Sequence, residues 1–300
     1  MSCLNKERAK HLLPTPIYNW FKKIFYFSAL RSAKRAFSNS SLEPAWLHFS
    51  FIDKWKNHFS KVGAYDYGEE GSIKRGQERA NLLLSYIKSK KIKRSLELGC
   101  MDAMTSAALL YQGIDATGLD LNRHLTDRAI RLGVKLIIGQ AEKIPLANES
   151  FDLVFSFNTM EHFNKPEEVI SESSRLLVPG GYFFIDFDPL YCSPRGLHAY
   201  RKINIPYLQF LFKEEDLVSY ADRHRLNWSE LPYVNKYSAE QFRELWSKMV
   251  DKFDIIYYSE GTDLTAMSFI TRFPSCFKKT SLRFDNFIIS HMRIVARKKI

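Results

Sequence analysis

Between residues 94 and 187, five short apolar runs (94–98, 115–120, 134–138, 151–157 and 182–187) alternate with stretches of helix-forming residues. Parallel strands must be joined by crossovers, and a helix is the usual crossover. The alternation therefore predicts an α/β chain: a parallel sheet with helices on both faces. The first run is the best defined. Ser95-Leu96-Glu97-Leu98 leads into Gly99-Cys100-Met101-Asp102-Ala103, and residues 105–112 read as helix. Strand, tight turn and helix together present backbone N–H groups to a charged ligand. The next run ends in Asp120, about twenty residues on, where a carboxylate can accept both hydroxyls of a ribose. The expected ligand carries a nucleoside and lies between two strand ends.

Length and composition set the bounds. The chain has 300 residues, 45% hydrophobic and 26% charged, which suits one or two globular domains. Lys and Arg outnumber Asp and Glu by 44 to 33, an excess of +11 that favours an anionic partner or marks an indifferent basic surface. Cys3, Cys100, Cys192 and Cys276 form no CxxC pair, so reduced thiols in a cytoplasmic protein are expected, and no metal is expected because no HxH or carboxylate cluster has ligand spacing. No apolar run approaches the roughly 20 residues of a membrane span. Pro14 and Pro16 interrupt any signal-peptide core.

Residues 1–45 read as a basic amphipathic extension and 46–300 as the main domain, with a cofactor half at 72–187, an acceptor lid at 188–250 and closing strands at 251–300. In the extension, Ile17, Trp20, Phe21, Ile24 and Phe27 recur at helical spacing beside Lys22, Lys23, Arg31, Lys34 and Arg35. Such a helix either packs its aromatic face on the domain or lies at an anionic membrane through residues 16–37. Further helices are expected at 43–59, 72–90, 123–132, 213–223 and 238–250, and strand candidates at 253–258 and 287–296.

The segments SLELGC, GLDLN, QAEKIPL, SFDLVFSFNTMEHF and RLLVPGGYFFI, in that order across residues 94–187, resemble the class I S-adenosylmethionine-dependent methyltransferases, in particular the type 11 small-molecule group. The resemblance implies a Rossmann-like seven-stranded sheet, mostly parallel with an antiparallel last strand, and S-adenosyl-L-methionine as cofactor. It implies that Glu97, Gly99 and Met101 belong to the methionine-side loop and Asp120 binds the ribose. Leu121 would pack on adenine, Ala141 and Glu142 meet its edge, and Asn158 lies beneath the sulfonium. The family prefers GxGxG where this chain has Gly99-Cys100-Met101-Asp102-Ala103. Either Met101 keeps negative φ, or the cofactor sits differently, or the pocket is degraded.

Each candidate has a structural alternative. Asp120 could cap the following helix, and Glu142 could be a solvated turn residue. Asp152 and Cys100 read as structural. His162 and His198 are candidate catalytic bases for a hydroxyl acceptor, since imidazole titrates near neutrality; a packing or capping role competes for His162. In the lid, Tyr191, Tyr200, Tyr207, Phe210 and Phe212, with Arg195, Arg201 and Lys202, suggest stacking on an acceptor. Asn158-Thr159-Met160-Glu161 stands where amino-N methyltransferases carry Asn/Asp-Pro-Pro-aromatic, which favours an oxygen or carbon acceptor on a small molecule or a glycan- or lipid-linked compound, and disfavours nucleic acid. The rival readings are a degenerate methyltransferase fold serving as a binding scaffold and a dinucleotide-dependent oxidoreductase, the latter weakened by Met101 and Met104 where GxGxxG needs glycine.

Overall fold

The computed structural model describes residues 15–59, 66–87, 92–123, 126–226 and 234–300, with the side chains of 15–22 and 201 left aside. In chain order the helices and strands used below are α1 (Thr15–Asn39), α2 (Ser50–Trp55), α3 (Glu69–Tyr86), β1 (Arg94–Leu98), α4 (Met104–Tyr111), β2 (Asp115–Asp120), α5 (Asp127–Arg131), β3 (Lys135–Ile138) and β4 (Phe151–Phe157). They continue with α6 (Pro166–Leu176), β5 (Leu177–Phe187), α7 (Leu208–Leu211), α8 (Glu214–Arg223), α9 (Ala239–Lys248), β6 (Phe253–Thr262), α10 (Met267–Arg272), α11 (Pro274–Lys278) and β7 (Ile289–Lys298).

The strands form one seven-stranded sheet in the order β3-β2-β1-β4-β5-β7-β6. Strands β1 to β5 pair in parallel, and β7 runs antiparallel to both β5 and β6. The order reverses at β1, so the turns after β1 and β2 open on the same carboxyl edge as the end of β4, where α/β sheets place ligands.

Alternation along the strands builds a core on each face. Phe155, Phe157 and Phe184 pack with Ala80 and Leu83 of α3. On the other face, Leu96, Val154, Phe183 and Ile185 pack with Val169 and Ile170 of α6 and Phe242 and Trp246 of α9. Gly76 lets α3 close on α4, since a Cβ there would stand 2.3 Å from the Met104 carbonyl oxygen. Asp152, expected to be structural, is so: its Oδ2 accepts the N–H groups of Lys93 and Arg94 at 3.0 and 2.9 Å and pins the entry of β1.

A second apolar cluster lies off the sheet. Tyr207, Phe210 and Phe212 are buried there against Phe277 and Phe287, joined by Ala33 and Phe37 of α1 and by Ile52 and Trp55 of α2. Those three lid aromatics are therefore core residues and do not face an acceptor. The sequence pattern missed this because their partners lie more than sixty residues away. Lys278 Nζ donates to the carbonyls of Ser38 (3.0 Å) and Ser40 (2.8 Å). Lys279 Nζ donates to those of Ala45 (2.6 Å) and Phe210 (2.9 Å) and sits 3.9 Å from the Trp46 ring centroid.

Two expected helices differ. Of the aromatic stripe expected on α1, the side chains of Ile17, Trp20 and Phe21 lie outside the described residues, whereas Ile24 and Phe27 are exposed, and Ala29, Leu30, Ala33 and Phe37 make the contact with the second cluster. The helix expected at 43–59 shrinks to α2, because Leu47 donates its N–H to the Leu211 carbonyl (2.7 Å) and the chain before residue 50 is drawn out of helical form. Strand β5 starts at Leu177, five residues earlier than expected, and runs through Pro179-Gly180-Gly181. Residues 259–286, which gave no sequence signal, supply α10 and α11.

Candidate active site

The carboxyl edge of the sheet opens into a cleft of about 320 Å³ lined by the β1 and β2 turns, the segment after β3, the end of β4 and the basic face of α3. Gly99, Met101, Asp120, Leu121, Ala141, Glu142, Asn158 and His162 all line it. Eight of the ten site residues expected from sequence thus share one wall system.

The loop after β1 is a run of left-handed backbone. Gly99, Met101 and Ala103 have φ of +66°, +48° and +52°. The expectation that Met101 keeps negative φ is thus overturned. The reason is visible at Asp120: its Oδ2 accepts the Met101 N–H at 2.8 Å, and its Oδ1 accepts the Asn122 N–H at 3.3 Å. A charge-assisted hydrogen bond of this kind offsets the 1–3 kcal/mol or so that a non-glycine left-handed residue costs. Asp120 is not a helix cap, since α5 begins at Asp127 behind Thr126. Gly99 is required for a different reason: a Cβ there would come 2.2 Å from Cγ2 of Thr159.

Glu97 does not line the cleft. It lies buried beneath the loop, where its Oε2 accepts the N–H (3.1 Å) and hydroxyl (2.7 Å) of Ser106 at the start of α4. Burial pushes its carboxyl up to about 7. Burial also raises the Cys100 thiol far above its ordinary value, so this cysteine is a packing residue with no nucleophilic character.

On the far wall, Asn158 closes β4 with φ +50° and donates its N–H to the Asp186 carbonyl at 2.8 Å. The next turn, Met160–His162, presents His162 to the cleft. His198 lies outside the lining but stands beside it, the two imidazole centroids 5.0 Å apart at 78°. Glu161, on the same turn, does not line the cleft and is fully buried, with burial holding its carboxyl well above the usual range. Asn235 fixes this turn by donating its N–H to the Glu161 carbonyl (2.8 Å) and its amide to those of Met160 (2.8 Å) and Phe163 (3.1 Å).

Sequence reasoning missed Arg75 and Arg79. They stand one helical turn apart on α3 and face the cleft. Arg75 pairs with Asp102, and Arg79 lies 5.1 Å from the Phe157 ring centroid. The i, i+4 spacing of two arginines before β1 was the available signal. The approach of His198 to His162 had none.

Residues 96–185 match the family model described as a methyltransferase domain. Over that stretch the chain is similar to methyltransferase domains. The match covers β2, β3 and β4 and most of β1 and β5, and so contains every cleft residue except those of α3. The chain is 27% identical over 138 residues to the ubiquinone biosynthesis O-methyltransferase of Stutzerimonas stutzeri, an alignment covering 38% of this chain and 59% of that protein, so it spans little more than half the length of that relative. The protein of the same name from Dechloromonas aromatica is 26% identical over 178 residues, covering 49% of this chain and 72% of that one. Among solved structures, the PH0226 protein of Pyrococcus horikoshii superposes with a TM-score of 0.50 at 17% identity, covering 82% of this chain and 99% of that one. That likeness shows the fold alone, the seven-stranded sheet with β7 antiparallel.

Proposed function

We propose that the chain is a methyltransferase that uses S-adenosyl-L-methionine and acts on an oxygen of a small hydroxyl-bearing acceptor. The observation that carries this reading is Asp120, whose carboxylate both accepts the Met101 N–H and faces the cleft at the end of β2. The relatives named O-methyltransferases support an oxygen acceptor. A cleft of about 320 Å³ falls within the range of small-molecule sites. It is open where a degraded pocket would have closed.

The cofactor would supply an electrophilic methyl group on a sulfonium. Asp120 would hold its ribose. Leu121, half-exposed Glu142 and buried Ala141 would border the adenine, and Arg79 would face the amino-acid carboxylate. Asn158 stands between this subsite and the acceptor side, where His162, backed by His198, would take part in removing the hydroxyl proton. Positioning alone can lower the barrier by on the order of 7–11 kcal/mol, and assisted proton removal adds roughly 10²–10⁴-fold. Isothermal titration with the cofactor and its demethylated product tests the reading. Wild type is expected to bind both. Asp120→Ala is expected to weaken both by ~10–100-fold, from the loss of a charge-assisted hydrogen bond of roughly 1.5–3 kcal/mol, with circular dichroism unchanged. A folded wild type that binds neither compound overturns the assignment.

The finer reading places this enzyme in the cytoplasm, at a membrane surface. No helix among the described residues is long and apolar enough to cross a bilayer. However, α1 leaves Ile24, Phe25 and Phe27 exposed beside Lys23, Arg31, Lys34 and Arg35, the pattern of an interfacial helix on anionic lipid. Cosedimentation with phosphatidylglycerol vesicles, suppressed by salt and by Phe25→Ser/Phe27→Ser, is the expected result. Equal recovery with neutral phosphatidylcholine vesicles counts against it.

A further inference from the structure

We propose that Glu161, His162 and His198 form a binding site for one divalent transition-metal ion on the acceptor side of the cleft. This inference deepens the methyl-transfer reading and rests on it.

The observation is a convergence of donor atoms. One carboxylate oxygen and one nitrogen from each imidazole lie within 4.8 Å of one another, and Glu161 Oε1 stands 3.7 Å from His162 Nε2. Among the described residues, no other three His, Cys, Asp or Glu side chains gather in this way. Bonds of about 2.0–2.1 Å to a tetrahedral ion set neighbouring donors roughly 3.4 Å apart. The present separations, all within 4.8 Å, exceed that by at most about 1.4 Å.

The carboxylate supplies a second, independent observation. Glu161 is 2% exposed and its Oε2 has no hydrogen-bond partner. A buried carboxylate oxygen without a donor is costly. A cation seated between the two imidazoles and this oxygen would answer that vacancy in the hydrogen-bond pattern.

The backbone keeps the donors in place. Asn235 ties down the carbonyls of Met160, Glu161 and Phe163, and His198 is held in left-handed backbone (φ +61°) with its N–H on the Arg195 carbonyl at 2.9 Å. Asn235 is a positioning residue for the site.

Two imidazoles and one carboxylate suit Zn²⁺ and its first-row neighbours, and three protein ligands leave a position open. Because His162 lines the cleft, the open position faces it. An acceptor hydroxyl entering there would become the fourth ligand. Its O–H bond would then ionise more readily, the proton passing to solvent and the electron pair staying on the oxygen as the nucleophile.

The test uses the full chain, stripped with a chelator and titrated with Zn²⁺ by calorimetry and with Co²⁺ by visible absorption. One saturable ion per chain is expected, with cobalt bands of low-symmetry nitrogen and oxygen coordination. Glu161→Gln and His198→Ala are expected to weaken Zn²⁺ binding by more than about 100-fold, beyond the loss typical of outer-shell changes. Exposed His224→Ala is the control and is expected to bind as wild type. Absence of saturable binding, wild-type binding by both site variants, or equal loss in the control overturns the site. If the two variants fail to fold by circular dichroism, the wild-type cobalt spectrum decides: lack of those bands overturns it. Titration with the demethylated cofactor runs alongside. Cofactor binding without metal binding defeats the metal site alone, whereas metal binding without cofactor binding defeats the methyl-transfer reading.

Discussion

Replacing Glu97 with glutamine probes the floor of the cofactor loop. In the folded chain this carboxyl titrates at about 7, against 4.5 for an ordinary glutamate, because burial outweighs the two hydrogen bonds from Ser106. A raised folded-state value means that the folded protein holds the proton longer than the unfolded chain does. Stability from this group is therefore complete below the unfolded value and is lost as pH rises through the folded one. Between pH 5 and pH 8 the loss amounts to about 2.5 kcal/mol for one site. Other carboxylates titrate in the same chain, Asp186 and Glu172 with lowered values, so the quantity to follow is the difference between wild type and Glu97→Gln. Glutamine keeps an oxygen for Ser106 and has no charge to acquire. Urea unfolding followed by tryptophan fluorescence, without cofactor, at pH 5, 6, 7 and 8 gives that difference. The variant is expected to gain on wild type by about 2.5 kcal/mol across this range, most of it between pH 5 and 7. A difference constant to within about 0.5 kcal/mol, the scatter expected of independent sites, refutes the account of Glu97 as a carboxyl kept neutral by burial.

Gly99→Ala is expected to abolish measurable cofactor binding in calorimetry, since its Cβ would fall 2.2 Å from Thr159 Cγ2 at a residue with φ +66°; wild-type affinity would show that the loop is free to move away. Tyr207→Phe removes a buried hydroxyl that donates to the Phe287 carbonyl at 2.7 Å. A loss of about 1–3 kcal/mol is expected from the stranded acceptor, and an unchanged urea midpoint would remove this bond from the list of supports for the second apolar cluster.

Much of the fold was readable because each strand of the cofactor half is a contiguous apolar run stopped by a polar or glycine-bearing turn. Register along β1, β2 and β4 follows from that spacing alone, and so does the convergence of Gly99, Asp120 and Asn158 at one edge. The misreadings share one cause, which is contact between distant segments. Residues 43–59 carry a helical pattern, yet the Leu211 carbonyl captures the Leu47 N–H and undoes its first turns. Tyr207, Phe210 and Phe212 look like ligand-facing aromatics until Phe277 and Phe287 are brought beside them. Met101 departs from the glycine pattern, but the carboxylate nineteen residues later holds it in left-handed form. Glu161 stood in the sequence as the end of the run Asn158-Thr159-Met160-Glu161. Its meeting with His198, thirty-seven residues on, needed the fold.

The paired lysines after α10 carry a consequence for how this chain can be shortened. Lys278 and Lys279 act as a buckle on its beginning, gripping the carbonyls of Ser38, Ser40 and Ala45 while Phe37 fills a socket lined by Phe284 and Phe287. A fragment begun at Trp46 would strand the Lys278 ammonium, leave Lys279 only the Phe210 carbonyl and the Trp46 ring, and empty that socket, leaving raw aromatic surface. The opening segment is thus a strap sewn into the body at one end, and trimming it is expected to yield a sticky protein before it yields a simpler one.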